Sequence, residues 1–223
     1  MSLPLTGPSR APASGGKPTS LVILLHGLGA DGNDLIDLAQ HLAPLLPDTA
    51  FVAPNAPEPC DMAPYGYQWF SLQDRTPSVI AAGVDRSAPI LERFIEDQLA
   101  KHHLDARRLA LVGFSQGTMM SLHVGPRLDP GPAAIVGFSG RLIAPQRLAG
   151  EKRSSPPTLL IHGDADQVVP FDSLAAGVAG LAAVGIPVEG LRRPGLGHGI
   201  DGPGLNAAAQ FLMKHLRAVL SQG

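Results

Sequence analysis

The stretch Leu109-Ala-Leu-Val-Gly-Phe-Ser-Gln-Gly-Thr-Met-Met120 decides the fold of this chain. Its first half is an apolar run typical of a buried strand, and its last part has the small and apolar residues of a packed helix. Between them, Gly113, Ser115 and Gly117 form the pattern Gly-x-Ser-x-Gly. The glycines allow a turn so tight that a Cβ would collide with the adjoining strand and helix. The stretch therefore predicts a nucleophile elbow, which exposes the Ser115 hydroxyl and aims the first helical amides at its target.

Outward from the elbow, strand-like and helix-like segments alternate along the chain. The clearest strand-like runs are residues 21–25, 133–138 and 157–162. Because each run is apolar throughout, the pattern predicts a mostly parallel sheet with helices on both faces. One of these helices is predicted from about Ser87 to His102. Residues 1–20 are predicted to form an extended segment or an edge strand, and residues 21–223 a single α/β domain without a large cap domain.

Composition narrows the possible functions. The chain has 223 residues, 44% of them hydrophobic, and a formal net charge of −2. It has no basic run, which argues against a nucleic-acid-binding protein. Its single cysteine, Cys60, excludes an internal disulfide and a thiolate metal cluster. No metal site is predicted.

The hydropathy pattern also bears on location. The longest strongly apolar run, Leu21 to Leu25, is far too short to cross a bilayer. The first twenty residues are rich in Pro, Gly and Ser and lack the apolar core of a secretion signal. The sequence therefore predicts a cytoplasmic protein without an integral membrane segment.

A serine nucleophile needs a base, and only two of the eight histidines follow the plausible acids in the chain. His215 lies in the final helix-like segment. His198 lies in a glycine-rich loop after the last strand-like run, from which an imidazole can reach over the elbow. The order nucleophile, acid, base along the chain therefore favours His198 as the base.

Two carboxylates, Asp164 and Asp166, compete for the role of the acid that orients His198. Both follow a buried strand-like run, and aspartates in such turns commonly bind backbone amides. Because the residue further along the loop reaches further, Asp166 is predicted to be the acid and Asp164 its backbone-fixing neighbour.

Attack by Ser115 places negative charge on a carbonyl oxygen, which needs N–H donors. One donor is predicted to be the amide of Gln116, directly after the nucleophile. The other is predicted to be the amide of Leu28, in the glycine loop after the first buried strand.

The same loop, Gly27 to Gly32, also satisfies the dinucleotide pattern G-x-G-x-x-G. That rival interpretation needs an acid at the end of the next strand, and none occurs before Glu58.

Both tyrosines and the single tryptophan fall within residues 65–70. The structural interpretation is a loop that packs its rings to stay ordered. The functional interpretation is an apolar wall or lid for an acyl chain, formed by Met62, Tyr67, Trp69 and Phe70. The sequence alone leaves both open.

Taken together, four motifs resemble the phospholipase/carboxylesterase family of α/β hydrolases, which includes the acyl-protein thioesterases. They are Leu25-His-Gly-Leu-Gly-Ala-Asp-Gly-Asn-Asp-Leu35, Gly113-Phe-Ser-Gln-Gly117, His162-Gly-Asp-Ala-Asp166 and Gly197-His-Gly199, in the family's order. The resemblance implies a triad of Ser115, Asp166 and His198, the α/β-hydrolase fold and no cofactor.

The resemblance also implies hydrolysis of carboxylic esters through an acyl-enzyme on Ser115. Short- to medium-chain acyl esters are the expected substrates, with thioesters and lysophospholipids as alternatives. A non-catalytic ligand-binding protein with a hydrolase fold is the alternative of a different class, and the sequence leaves open a homodimer.

Overall fold

The computed structural model describes the backbone of residues 4–220 and the side chains of residues 4–217. The strands are β1 (Ser9–Arg10), β2 (Ser20–Leu25), β3 (Thr49–Val52), β4 (Glu58–Pro59), β5 (Tyr67–Gln68), β6 (Leu109–Phe114), β7 (Ala134–Phe138), β8 (Thr158–Gly163) and β9 (Val188–Arg193). The α-helices are α1 (Gly32–Ile36), α2 (Leu38–Leu42), α3 (Pro77–His102), α4 (Gln116–Val124), α5 (Pro145–Glu151), α6 (Asp172–Ala183) and α7 (Gly202–Leu220). The predicted alternation of strands and helices is confirmed.

Within residues 4–220, seven strands form the main sheet in the order β1-β3-β2-β6-β7-β8-β9. Strand β1 runs antiparallel to β3, and the other neighbouring pairs are parallel. The predicted mostly parallel sheet is therefore confirmed. Because the carboxyl ends of parallel strands meet at one edge, the loops after β2, β6, β7 and β8 meet there too.

Helices cover both faces of the sheet, as predicted. Alternate side chains of β2 point to opposite faces, and all six of its residues are buried. Val22 and Leu24 pack in one apolar cluster with α1, α2 and α7. Leu21, Ile23 and Leu25 pack in a second cluster with α3 and α4. A sheet buried on both faces explains why its strands are apolar throughout.

Helix α3 begins at Pro77, well before the predicted start near Ser87, so that prediction was wrong. Proline suits the first turn of a helix because no N–H is needed there. Val84 extends the buried face of the helix towards its N-terminus. At Gly83 an added Cβ would lie 2.8 Å from Cβ of Phe70, so the helix packs directly on that residue. Tertiary packing therefore outweighs the weak local helix propensity of this segment.

The N-terminal segment contributes the edge of the sheet. Ser9 pairs with Val52 and Arg10 with Phe51. The amide of Ala53 also donates to the carbonyl of Pro8 at 3.0 Å. Residues 1–3, which belong to the same predicted segment, and residues 221–223 lie outside the described residues.

Candidate active site

Ser115 lies in the turn between β6 and α4 with φ 53° and ψ −113°, a conformation that non-glycine residues rarely adopt. A Cβ on Gly113 would lie 2.3 Å from the carbonyl carbon of Gly117. A Cβ on Gly117 would lie 1.8 Å from the carbonyl oxygen of Leu25. Both flanking glycines are therefore required by backbone contacts, as the motif predicts.

Hydrogen bonds hold the backbone of Ser115 on both sides. Its amide donates to the carbonyl of Phe138 on the neighbouring strand at 2.9 Å, and its carbonyl accepts from the amide of Met119 at 3.2 Å. Ser115 is buried and forms part of the wall of a cavity at the carboxyl edge of the sheet. The sheet and α4 together hold a strained residue in place.

The structure brings Asp166 and His198 into direct contact. Nδ1 of His198 donates to Oδ2 of Asp166 at 2.8 Å, and the side chain of Asp166 is fully buried. The other carboxylate oxygen accepts from the amides of Val168 and Val169 at 2.8 and 2.9 Å. The ring of His198 also packs on the ring of Phe114, with 4.9 Å between the centroids. The imidazole therefore has one tautomer and a defined orientation.

The carboxylate of Asp166 is ionised at neutral pH. Burial by itself raises its pKa, but the hydrogen bonds from His198, Val169 and Val168 more than offset this, and the pKa lies below its ordinary value. Nε2 of His162 lies 3.3 Å from the same Oδ2. Nε2 of His162 also lies 3.0 Å from the carbonyl oxygen of Val169, to which the tautomer with its hydrogen on Nε2 donates.

Asp164, the other candidate acid, has a different role. Its carboxylate accepts from Nε of Arg192 and from the amide of Gly195, both at 2.7 Å. These hydrogen bonds lower the pKa of Asp164, and the one from Arg192 has the largest effect. Asp164 therefore ties the end of β8 to the turn that leads to His198, and does not contact the imidazole.

Both predicted oxyanion donors lie next to Ser115. Gln116 is the first residue of α4, so its amide has no acceptor within the helix. Leu28 lines the same cavity as Ser115. A Cβ on Gly27 would lie 3.2 Å from Cβ of Ser115, which shows how closely this loop passes Ser115.

The aromatic segment is hydrogen-bonded to the loop that contains Leu28 and to the side chain of Gln116. The carbonyl of Tyr67 accepts from the amide of Gly29 at 2.9 Å, and its amide donates to the carbonyl of Ala30 at 2.8 Å. The side chain of Gln116 accepts from the amide of Trp69 at 3.1 Å and donates to the carbonyl of Phe70 at 2.7 Å. The segment therefore joins the glycine loop to the start of α4.

The side chains of this segment do not form the wall of the cavity. Trp69 and Phe70 are fully buried in the core, and Trp69 donates from Nε1 to the carbonyl of His26 at 3.0 Å. Met62 is exposed, and Tyr67 is half-buried. Of the predicted roles, the packing interpretation describes Trp69 and Phe70, because the rings fill the space between α3 and the sheet.

The cavity itself has a volume of about 420 Å³, within the range of small-molecule sites. Its lining residues are Gly27, Leu28, Ala30, Leu72, Arg75, Phe114, Ser115, Met119, Arg141, Val168, Val169, Pro170 and His198. Most of these lining residues were not predicted from the sequence. The sequence signal that could have found them is their position, because several lie at or close to the carboxyl ends of strands that end at this edge.

The loop at Gly27 to Gly32 is not built to hold a dinucleotide. Oδ1 of Asn55 accepts from the amide of Gly32 at 2.8 Å, and Asp31 caps α1 by accepting from the next two free amides. The amides that would bind a pyrophosphate therefore already have partners within the protein.

Among the described residues, no three His, Cys, Asp or Glu side chains are grouped as metal ligands would be. No helix within residues 4–220 is long and apolar enough to cross a membrane.

Comparison with known proteins places the chain among ester hydrolases of one family. Residues 10–216 match the model of the phospholipase/carboxylesterase family. The chain is 33% identical to the esterase YpfH of Escherichia coli, over 88% of this chain and 82% of that protein. It is 28% identical to the acyl-protein thioesterase 1 homolog 1 of Dictyostelium discoideum, over 89% of this chain and 91% of that protein.

Among solved structures, the crystal structure of esterase PE8 superposes with a TM-score of 0.91 and 43% sequence identity. The superposition covers 96% of this chain and all of that one. The predicted α/β-hydrolase fold is confirmed. On the family match and the identity to these relatives, the chain belongs to the phospholipase/carboxylesterase family.

Proposed function

We propose that this carboxylic ester hydrolase works by acyl transfer to Ser115. The observation that carries the proposal is that Ser115 and His198 line one cavity together, with Asp166 hydrogen-bonded to the imidazole. His198 accepts the Ser115 proton at Nε2 while Oγ attacks the ester carbonyl, and the ionised Asp166 stabilises the imidazolium. The alcohol then leaves with that proton.

In the second half-reaction, water attacks the acyl-enzyme and His198 again accepts a proton. The new hydroxyl stays on the acid product, and the proton returns from the imidazole to Oγ of Ser115 as the acyl bond breaks. In both steps the amides of Leu28 and Gln116 stabilise the oxyanion. The mechanism uses groups of this chain and water alone.

The size and apolar walls of the cavity support short- to medium-chain acyl esters as substrates. Thioesters and lysophospholipids share the same reaction chemistry and are the alternatives, supported by the thioesterase among the relatives. A cytoplasmic location and a homodimer also stay predictions.

The test is a Ser115→Ala variant with Ser78→Ala as a matched control on an exposed serine. We expect Ser115→Ala to lower kcat for p-nitrophenyl butyrate by roughly 10⁶-fold, and Ser78→Ala to keep the activity of the wild type. A fluorophosphonate should label the wild type once, with the adduct on Ser115. Full activity of Ser115→Ala would refute the proposal.

The non-catalytic alternative makes a different prediction. Rapid mixing of the wild type with excess p-nitrophenyl acetate should release a burst of nitrophenol equal to the enzyme concentration, or show steady turnover. If the protein bound acyl ligands but released no nitrophenol above the enzyme-free rate, it would be a binding protein and not a hydrolase.

A further inference from the structure

Two arginines line the cavity next to Ser115, and they come from different parts of the chain. Arg75 lies in the loop just before α3, and Arg141 lies in the loop after β7. The other lining side chains are apolar apart from Ser115 and His198, and they include no Asp or Glu. The cavity wall therefore carries two positive charges beside the reacting groups without a carboxylate opposite them.

Seven other arginines in the described part of the chain have acidic partners. Among the described residues, the ion pairs formed by arginine involve positions 10, 93, 107, 127, 147, 192 and 193. Arg127 is a useful comparison because its side chain is also largely buried, and it pairs with Glu151 and with the carbonyl of His123. The fold therefore does provide partners for buried guanidinium groups elsewhere.

Arg141 differs from Arg127 in this respect. Its Nε is buried and has no hydrogen-bond partner among the described residues. Burial and then the nearby charge of Arg75 lower the pKa of Arg141, and no carboxylate counters them. Asp74, next to Arg75 in the chain, uses Oδ1 to accept from the amide and the hydroxyl of Thr76. A guanidinium that is partly removed from water and unpaired is costly unless something else binds it.

We propose that Arg141 and Arg75 bind an oxyanion carried by the ester, so that this hydrolase prefers substrates with a carboxylate or phosphate group. The planar guanidinium matches both groups, because it donates two parallel hydrogen bonds to a pair of their oxygens. The apolar walls hold the chain between this charge and the scissile bond. The inference rests on the proposed function, since it describes the substrate of the same cavity.

The experiment compares two esters of equal acyl length, the mono-p-nitrophenyl ester of adipic acid and p-nitrophenyl hexanoate. Rates are corrected for enzyme-free hydrolysis. We expect the wild type to have a higher kcat/KM for the adipate ester, and Arg141→Gln to lower the ratio of the two values by about tenfold to hundredfold. Arg141→Lys should lower it less, because it keeps the charge but loses the planar fork.

The matched control is Arg86→Gln, which removes an exposed arginine of α3 outside the cavity and should keep the wild-type ratio. Added salt should lower the ratio in the wild type but not in Arg141→Gln, because salt screens the charges.

A second pair of substrates carries the anion on the alcohol side of the ester: the butyryl esters of glycerol 3-phosphate and of glycerol. A higher kcat/KM for the anionic ester in either pair, lost in Arg141→Gln, supports the inference.

Equal or lower kcat/KM for the anionic ester in both pairs would overturn the inference, and so would an unchanged ratio in Arg141→Gln. These outcomes are distinct from failure of the proposed function. Hydrolysis of p-nitrophenyl hexanoate that depends on Ser115 tests the reaction, whereas only the ratio of charged to neutral esters tests the arginines.

Discussion

Two glycine-rich turns meet at the cavity, and they are built in opposite ways. The elbow around Ser115 is held by backbone contacts so close that a Cβ on Gly113 or Gly117 would lie 2.3 or 1.8 Å from other atoms. The loop around His198 also has glycines on both sides, yet a Cβ on Gly197 or Gly199 would meet nothing within 4 Å. The turn at Ser115 is constrained by close backbone contacts on both sides, whereas the ring of His198 is oriented by its hydrogen bond to Asp166 and its contact with Phe114.

This difference determines which substitutions the Ser115 turn and the His198 loop should tolerate. On the elbow side, the sheet determines the position of the backbone, so the side chain has no alternative location. On the imidazole side, the Cβ positions of the flanking glycines are open, and Asp166 selects the tautomer and orientation of the ring. We therefore expect the elbow around Ser115 to be sensitive to added side-chain atoms. We expect the orientation of His198 to be sensitive to the loss of hydrogen bonds.

The largest effect that follows from this comparison is on the imidazole side. Asp166→Asn keeps the size of the side chain but removes its negative charge, and it lets the imidazole adopt the wrong tautomer. We expect kcat for p-nitrophenyl butyrate to fall by about 10⁴-fold, with little change in the circular dichroism spectrum. Asp164→Asn is the control, since Asp164 does not contact His198, and it should keep kcat within about tenfold. A comparable loss in both variants would mean that the loop as a whole, and not Asp166, orients the ring.

The next prediction compares a glycine of the elbow with a glycine of the His198 loop by the stability of their alanine variants. Gly117→Ala introduces a Cβ against the carbonyl of Leu25, a backbone atom that cannot move without shifting the sheet. We expect a loss of about 3 kcal/mol or more in the free energy of unfolding, measured by urea denaturation. Gly197→Ala adds the same methyl group into open space and should stay within about 0.5 kcal/mol of the wild type. Equal stability of the two variants would contradict the comparison.

The smallest effect concerns the aromatic segment that supports the elbow. Trp69→Phe removes the Nε1 donor to the buried carbonyl of His26 and leaves a small void. We expect a loss of about 1–3 kcal/mol in the free energy of unfolding. Met62→Ala, on an exposed residue of the same segment, should change it by less than about 0.5 kcal/mol. If only Met62→Ala altered the KM for longer acyl esters, the substrate-wall interpretation would apply to Met62 after all.

The aromatic segment also marks the boundary of what could be predicted. Its bias in composition was visible, but its partners are remote in the chain: Trp69 binds the side chain of Gln116, 47 residues away. No local pattern reveals such a contact. Gln116 was predicted for its amide, and its side chain, which holds the segment, was missed for the same reason. The early start of α3 was missed because Gly83 is a poor helix residue that the packing of Phe70 requires.

Arg141 is a further case of this kind. Its position, two residues after Ser139 at the end of a buried strand, places it at the carboxyl edge of the sheet. That much follows from the sequence. Whether a carboxylate lies opposite it depends on how several loops pack, and the structure shows none in the cavity wall.

By itself, the sequence determined the parallel sheet, the elbow and the order of Ser115, Asp166 and His198, because apolar periodicity and tight glycine turns are local consequences of residue type and spacing. The tertiary structure alone decided which loops touch. It packed Trp69 and Phe70 in the core and not in the cavity wall, and it left two arginines beside Ser115. These outcomes depend on contacts between residues distant in the chain, whose energies are set by packing and burial and not by neighbours in sequence.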